Sequence, residues 1–364
     1  MNRLGRLLSA VGIMAAALSP LPVGAQPDPD APRLRTQTIA PGVIAFISRE
    51  PLGLANNANS VAIIGDSDVV VVDAQFTYQA TLAVVGTLAG LTDKPVRYLI
   101  NTHWHDDHVF GNAVWRGAYP GVTIIAHENT RQDLATIGAQ NRKEQLAGGA
   151  GAVAMFEEAI KTKTAIDGTP MSLEEAAAYR STIDIAGTYL REAPGHDPPL
   201  PDLVFRDRLT LFQGNRTIEL RYFGEGVTRG DAVVWLPAEK IAIAGDLVNV
   251  PFPFTYNCHP TAWITALAGI RELKPAWIVP GHGPVQRDLA ALDRLSAVLT
   301  AIREQANAAV AGGVAEGAFR QSVTLDADRQ AMAGDDKMMN FLFKSYFVGP
   351  AAVAAYREAA AAGK

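Results

Sequence analysis

The chain has 364 residues, of which 48% are hydrophobic and 19% are charged, a composition typical of globular proteins rather than disordered or fibrous ones. Its formal net charge of −5 argues against general nucleic-acid binding, because nucleic-acid-binding proteins usually carry a basic face. The single cysteine, Cys258, excludes an intramolecular disulfide. The fold must therefore be held together by its core and by any ion it binds.

The first 25 residues are typical of a secretory signal peptide. A basic start precedes residues 7–18, an apolar stretch too short to span a bilayer comfortably, and residues 23–25 are typical of a cleavage site. A retained N-terminal anchor is less favoured. Residues 26–37 indicate a loose lead-in to a domain at 38–364. We therefore expect a periplasmic or secreted protein with no stable membrane insertion after the signal is cleaved.

Hydrophobic periodicity predicts strands and helices in an order typical of two sheets packed face to face, with helices outside. Strands are predicted at 38–48, 60–64, 69–73, 96–100, 122–126, 203–205, 209–212, 217–222, 232–236, 240–244 and 276–279. Helices are predicted at 77–91, 111–115, 261–273, 287–303 and 341–364.

Residues 128–191 interrupt this order. They are Ala-rich, charged and helical in pattern, and Ser172-Leu173-Glu174-Glu175 is a capping box that begins one helix. Glycines at 148–151 and at 168 predict breaks. We predict a helical insertion, which either shapes substrate access or only adds mass.

Three of the seven histidines fall within six consecutive residues, His103-Trp104-His105-Asp106-Asp107-His108, directly after the apolar strand 96–100. Imidazole nitrogens and carboxylate oxygens suit zinc and similar cations. Buried, neutral and unpaired, each imidazole would cost roughly 1–3 kcal/mol. Because a bound cation removes that cost, the motif predicts a metal site, and a catalytic one.

Two later segments each end a predicted strand with a further ligand. Asp246 follows Ala244-Gly245, and His282 lies within Pro280-Gly281-His282-Gly283. Together with the six-residue motif, these segments resemble the metallo-β-lactamase superfamily, from about residue 38 to the C-terminal helices. The resemblance implies an α/β fold of the α+β type, an αββα sandwich holding one or two ions, usually zinc, at one edge.

The resemblance also implies a role for each motif residue. The first metal site would use His103 and His105, the second would use Asp107, His108 and His282, and Asp246 would bridge the two. Asp73 would support the metal loop from behind without binding metal. The family's further first-site histidine is missing, because the matching segment, Gly226-Val227-Thr228-Arg229-Gly230-Asp231, carries Val227 at that position.

Val227 cannot coordinate an ion, so we expect one tightly bound zinc at the second site and a weak or absent ion at the first. Manganese or iron could take the place of zinc. A replacement ligand would come from one of four nearby candidates: Glu225, Cys258, His259 and His196. For each of them a solvated or locally bonded side chain is the expected role, and His127 is expected to be structural rather than a ligand. Arg229 and Asn112 could touch substrate, but a helix-end or turn contact is favoured for both.

The predicted function is an exported metal-dependent hydrolase of an ester-like, thioester, lactone or related small substrate. Asp107 would orient an activated water, and if the first site is empty His103 or His105 would be free to act as general base, with His105 as the catalytic candidate. Hydrolysis of β-lactams ranks lower, because true β-lactamases of the family commonly carry cysteine or serine where Asp246 stands. An iron-dependent sulfur oxidoreductase and a non-catalytic binding protein rank lower still. A homodimer through the C-terminal helix stays open.

Overall fold

The structure, a computed structural model, describes residues 34–49, 51 and 53–363. The predicted signal peptide and residues 26–33 of the predicted lead-in lie outside the described residues. The rest of that lead-in prediction is wrong, because residues 34–37 already belong to the first strand. Within the described residues, no helix is both long enough and apolar enough to cross a bilayer.

The first sheet has seven strands, which lie side by side in chain order. They are β1 (Leu34–Ala40), β2 (Val43–Ser48), β3 (Ser60–Ile64), β4 (Val69–Val72), β5 (Val96–Ile100), β6 (Thr123–His127) and β7 (Leu203–Phe205). The strands from β1 to β4 pair antiparallel, and those from β4 to β7 pair parallel. The parallel strands therefore bring their carboxyl ends to one edge of the sheet.

The second sheet has five strands, in the order β12-β11-β10-β9-β8. They are β8 (Arg208–Gln213), β9 (Arg216–Tyr222), β10 (Ala232–Leu236), β11 (Ile241–Gly245) and β12 (Trp277–Pro280). Only β11 and β12 are paired in parallel, so their carboxyl ends also meet at one edge.

The core lies between the two sheets and beneath the helices on either side. In β4, Val70 and Val72 pack with Leu220 and Val234 of the second sheet, because alternate side chains of a strand point to opposite faces. Val69 and Val71 point the other way and pack with residues of the first helix. Burial on both faces explains why β4 is a run of four valines.

Helices cover both outer faces, which confirms the predicted αββα sandwich. They are α1 (Tyr78–Leu91), α2 (Asp106–Val109), α3 (Asn112–Ala118), α4 (Glu128–Asp133), α5 (Ala139–Thr162), α6 (Leu173–Glu192), α7 (Pro260–Glu272), α8 (Ala290–Ala311), α9 (Glu316–Ser322), α10 (Asp326–Ala333), α11 (Lys337–Leu342) and α12 (Gly349–Ala362). Helix α1 packs on the first sheet, and α7, α8 and α12 share a core cluster with β11 of the second.

The helical insertion is present as α4, α5 and α6, with a π-helical segment at Leu134–Gly138 joining α4 to α5. The predicted break at 148–151 is wrong, since α5 continues through these residues. Each glycine costs only about 1 kcal/mol in a helix, which long flanking runs of good helix formers can offset. The capping box is confirmed: Ser172 Oγ accepts from Glu175 N at 3.0 Å, and Glu175 accepts from Ser172 N at 2.8 Å.

Two further predictions need correction. The single strand at 38–48 is a hairpin, because Gly42, with φ +73°, turns the chain between β1 and β2. The single helix at 341–364 is instead α11, a π-helical segment at Phe343–Val348 and α12.

Candidate metal centre

The ends of four strands build the site. Asp73 follows β4, the six-residue metal loop His103–His108 follows β5, Asp246 follows β11 and His282 comes shortly after β12. Parallel pairing of β4 with β5 and of β11 with β12 places each pair of ends together. Because the two sheets pack face to face, the four ends meet at one edge of the sandwich.

All six predicted ligands meet at this edge. They form two groups, in each of which the potential ligand atoms lie within 4.8 Å of one another: His103, His105 and Asp246 in the first, and Asp107, His108 and His282 in the second. Asp246 faces both groups. Its Oδ2 lies 3.9 Å from His103 Nε2, and its Oδ1 lies 3.1 Å from His108 Nε2 and 3.6 Å from His282 Nε2.

Three buried atoms at the centre have no hydrogen-bond partner among the described residues: His103 Nε2, His108 Nε2 and Asp246 Oδ1. The two imidazoles are fully buried. Leaving such atoms unsatisfied costs about 1–3 kcal/mol each, so native proteins rarely do so without a reason. Lone pairs of imidazole and carboxylate are the donor set of a zinc-like cation, so a cation at the second group would satisfy His108 Nε2 and Asp246 Oδ1, and one at the first group would satisfy His103 Nε2.

Asp73 holds the metal loop from below. Its Oδ1 accepts from Thr102 N at 2.7 Å, and its Oδ2 accepts from Thr102 Oγ1 and lies 2.8 Å from His108 Nδ1. Because an ionised carboxylate only accepts hydrogen bonds, His108 carries its proton on Nδ1 and leaves Nε2 bare. Asp73 has φ +58°, a conformation that Asp and Asn tolerate better than most residues.

Glycines allow the close approach of the strand ends. A Cβ on Gly245, which has φ +51°, would lie 2.5 Å from Thr102 Oγ1, and a Cβ on Gly281 would collide with Asp246 Oδ1. Asn59, which was not predicted from the sequence, supports the same region: its Nδ2 donates to the carbonyls of Pro280 and Gly283 on either side of His282, at 2.9 and 2.8 Å. Asn59 thus fixes the His282 loop to β3, and no local pattern marks it.

The electrostatics favour the ligating forms of His103 and of the two carboxylates, but not that of His108. Burial, reinforced by the imidazoles of His108 and His105, lowers the pKa of His103 well below its ordinary value. Burial alone would raise the pKa values of Asp107 and Asp246, but the nearby histidines outweigh it and hold both below the usual carboxyl range. For His108, burial is outweighed by three carboxylates, which raise its pKa well above normal. A bound cation would compete with that proton.

Val227 lies in the core and offers no ligand atom. Its side chain is fully buried in the cluster that also contains Leu247 and Trp263. The turn around it is intact, since Asp231 Oδ2 accepts from Thr228 N at 2.8 Å and from Thr228 Oγ1 at 3.1 Å. Burial raises the pKa of Asp231 to about 8 despite these bonds.

None of the four replacement candidates belongs to either ligand group in the described part of the chain. Glu225 Oε2 lies 3.2 Å from His259 Nδ1, so these two residues pair with each other. Cys258 is buried, and burial raises the pKa of its thiol to about 12, which keeps it protonated. His196 is exposed and contacts the Pro194 carbonyl.

The three remaining residues have local structural contacts. The His127 ring stacks on Tyr222 at 4.0 Å. Arg229 pairs with Asp133, and Asn112 exchanges side-chain hydrogen bonds with Asn101.

A cavity of about 400 Å³ opens over the ligands. At its floor lie His105, Asp107, Asp246 and His282. Its walls carry five aromatic side chains beside several polar ones; the aromatic residues are Phe76, Trp104, Phe252, Phe254 and Tyr256. Helix α5 of the insertion contributes Asn141, Glu144 and Gln145. No Lys or Arg is among the described residues that line it.

A family model described as the metallo-beta-lactamase superfamily matches residues 54–282, which include all six ligands. The metallo-beta-lactamase type 2 of Bacteroides fragilis is 30% identical over 91 residues, covering 23% of this chain and 36% of that protein. The type 2 enzyme of Bacillus cereus is 31% identical over 102 residues, covering 26% and 39%. The chain thus matches less than two fifths of the length of these curated relatives.

Solved structures give a longer match at lower identity. A metallo-beta-lactamase from Pontibacter korlensis superposes with a TM-score of 0.52 at 19% identity, covering 73% of this chain and 99% of that one. The DIM-1 metallo-beta-lactamase gives a TM-score of 0.51 at 18% identity, covering 74% and 98%. At such identities the likeness shows the fold alone.

Proposed function

Because the chain belongs to the metallo-β-lactamase superfamily, we propose that it is a metal-dependent hydrolase of small ester-like substrates. One observation carries the proposal. Six imidazole and carboxylate side chains from three separate segments come together, and three of their buried nitrogen and oxygen atoms have no hydrogen-bond partner among the described residues. A metal-dependent hydrolase needs such a centre beside a space that admits substrate, and the cavity supplies that space.

The metal that we propose is zinc, with one ion held tightly by Asp107, His108 and His282 and a weaker or absent ion at the first group. Manganese and iron stay in the proposal as substitutes, because imidazole and carboxylate also suit them. Bound zinc with an open coordination position supplies a Lewis acid that polarises a carbonyl and activates water near neutral pH.

The ligands differ in their access to the cavity, and the difference suggests their roles. His103 and His108 are fully buried and can serve only the ion. Asp107 keeps 23% of its side chain exposed, and both it and His105 line the cavity floor. We therefore assign proton handling to Asp107, which would orient the attacking water, and to His105, which would accept a proton when no ion occupies the first group.

The cavity favours an uncharged substrate with an apolar part. Five aromatic side chains offer apolar surface, and apart from the two histidines the charged side chains among the described lining residues are all carboxylates. An anionic group on the part of the substrate that lies away from the metal site would approach Glu144, and no Lys or Arg among these residues would compensate its charge. An ester, thioester or lactone with an aryl or alkyl substituent fits this surface best. The names of the curated relatives favour β-lactam hydrolysis as the second candidate.

The test is a reporter screen with matched metals. Aryl ester, thioester, lactone, β-lactam and phosphodiester reporters would be offered to protein loaded with zinc, manganese or iron. We expect turnover of the neutral esters, loss of turnover in His282→Ala and full turnover in the matched control His196→Ala. Preferential turnover of the β-lactam reporter would select the second candidate. Inactivity with every metal and reporter would contradict the proposal and favour a binding protein, and oxygen consumption with iron and a thiol would indicate a sulfur oxidoreductase.

Export stays part of the proposal and is supported by the pattern of residues 1–25 alone. Fractionation of cells that express the full chain would test it. Recovery of an uncleaved protein from the cytoplasm would contradict it.

A further inference from the structure

The helical insertion contacts the metal loop through a buried ion pair in which neither residue is a predicted metal ligand. Asp106 stands between the ligands His105 and Asp107, and its side chain is only 7% exposed. Arg142 of α5, 4% exposed, places NH2 3.1 Å from Asp106 Oδ1. Tyr189 of α6 donates its hydroxyl to Asp106 Oδ2 at 2.5 Å. Helices α5 and α6 of the insertion therefore both contact this one residue of the loop.

A second contact joins the insertion to the same loop. Trp104 packs with Leu134 in a small buried cluster. Gly138 sits directly against the indole, since a Cβ there would lie 3.2 Å from Trp104 Cε3. The two residues that flank His105 are thus both held by the insertion: Trp104 by Leu134 and Gly138, and Asp106 by Arg142 and Tyr189. A helix that only added mass would not need to bury an arginine against the metal loop.

The position of Asp106 in the loop indicates what its contacts with Arg142 and Tyr189 do. Its two chain neighbours belong to different ligand groups, His105 to the first and Asp107 to the second. Helix α2 begins at Asp106, and its N-cap, His105, makes no side-chain capping bond that would fix this turn. The carboxylate of Asp106 points instead to Arg142 and Tyr189. A buried charge pair is by itself weak evidence of a stabilising role, so we attribute this pair to the geometry that it imposes on the loop.

We propose that Arg142 and Tyr189 are positioning residues of the metal centre. By holding Asp106 they fix the turn between His105 and Asp107 and keep the two ligand groups at the spacing that lets Asp246 serve both. The inference deepens the proposed function, on which its effect on turnover rests. Its effect on metal binding does not depend on any substrate.

The test compares zinc affinity in four variants of the full chain, measured by competition with a chelator. Arg142→Met removes the ion pair, Arg142→Lys keeps the charge, and Tyr189→Phe removes one hydroxyl. The matched control is Arg216→Met. Arg216 also pairs with one carboxylate, Glu239, at 2.8 Å, but it bonds to the Ile64 carbonyl, at the end of the sheet opposite the metal loop.

We expect Arg142→Met to weaken zinc binding about tenfold or more, as loss of an outer partner of a metal site typically does, and to lower kcat more than it raises KM. Arg142→Lys should recover part of the affinity, and Tyr189→Phe should lose a smaller factor. Arg216→Met should lower Tm while its zinc affinity stays within about twofold of the original chain.

Zinc affinity in Arg142→Met that stays within about twofold, or that falls no further than in Arg216→Met, would overturn the inference and leave the ion pair a purely structural contact. If Arg142→Met does not fold, Tyr189→Phe decides, because its ring keeps the stacking on Phe76 seen at 4.4 Å. Unchanged zinc affinity there would equally overturn the inference. Weakened zinc binding in a protein that hydrolyses no reporter would refute the proposed function and leave the positioning role standing.

Discussion

The Asp73→Asn substitution tests the support beneath the metal loop. Three donors converge on the Asp73 carboxylate: Thr102 N, Thr102 Oγ1 and His108 Nδ1. An asparagine has one acceptor oxygen, so its amide group must face at least one of these partners. If the oxygen keeps Thr102 N, the amide N–H faces His108 and can bond only to an unprotonated Nδ1. The proton of His108 then moves to Nε2, which is the atom that faces the proposed ion.

The substitution should therefore weaken zinc binding without disturbing the backbone. Asn adopts positive φ as readily as Asp, so the φ of +58° is preserved. Loss of an outer partner that orients a ligating histidine costs about 10- to 100-fold in metal affinity, or roughly 1.4–2.8 kcal/mol. Metal-free protein should lose a further amount of unfolding free energy, about 1–3 kcal/mol, because a buried donor is left unpaired.

The measurement is chelator competition for zinc, with Asp231→Asn as the matched control. Asp231 is also buried and also accepts from the amide and hydroxyl of one threonine, but these bonds run to Thr228 and not to an imidazole. Since the pKa of Asp231 is raised to about 8, its carboxyl is mostly protonated at neutral pH, and an amide is a close substitute. Equal zinc affinity in Asp73→Asn, Asp231→Asn and the original chain would refute the reasoning.

Three further outcomes are expected. His105→Ala should lower kcat by about 10²-fold or more while most of the zinc stays bound, and loss of all metal on elemental analysis would disprove its assigned role. Val227→His should raise the count of tightly bound zinc from one ion per chain to two by mass spectrometry, whereas two ions in the original chain would contradict the one-ion prediction. Asp231 has its pKa raised to about 8 when folded, against about 4 unfolded, so between these values the folded state retains a proton that the unfolded state has lost, and stability falls as pH rises. In metal-free protein, the unfolding free energy of the original chain should fall from about pH 5 to about pH 8, and Asp231→Asn should remove roughly 4 kcal/mol of that fall. Equal pH dependence of the unfolding free energy in the two proteins, measured by chemical denaturation, would exclude this effect.

The convergence of the six candidate ligands could be predicted from the sequence because their pattern is largely local. His103, His105, Asp107 and His108 lie within six residues after an apolar strand, and parallel pairing brings Asp246 and the His282 segment to one edge. The motif itself carries both the residue types and their approximate spacing. Helices and strands with strong hydrophobic periodicity were also predictable, because periodicity is a local pattern of the sequence.

The residues that hold the ligands could not be predicted in this way. Asn59 bonds to the Pro280 carbonyl across 221 positions of sequence, and Arg142 meets Asp106 only after the insertion folds back over the loop. A single asparagine or arginine in a polar stretch carries no pattern that distinguishes it from a solvated neighbour. The hairpin at Gly42, by contrast, was open to prediction, because Pro41-Gly42 is a dipeptide typical of turns.

We expect Asp246, more than Val227 alone, to decide how many ions the proposed centre can hold. Without the usual histidine, the first group has His103, His105 and Asp246, and three protein ligands are enough for a catalytic zinc only if none of them is given up. The second group has three ligands of its own, yet Asp246 Oδ1 lies closer to His108 Nε2, at 3.1 Å, than Asp246 Oδ2 lies to His103 Nε2, at 3.9 Å. We therefore expect Asp246 to bind an ion at the second group in preference to one at the first. An ion at the second group should therefore weaken zinc binding at the first group. A titration should show a lower affinity for the second zinc ion than two independent sites would give.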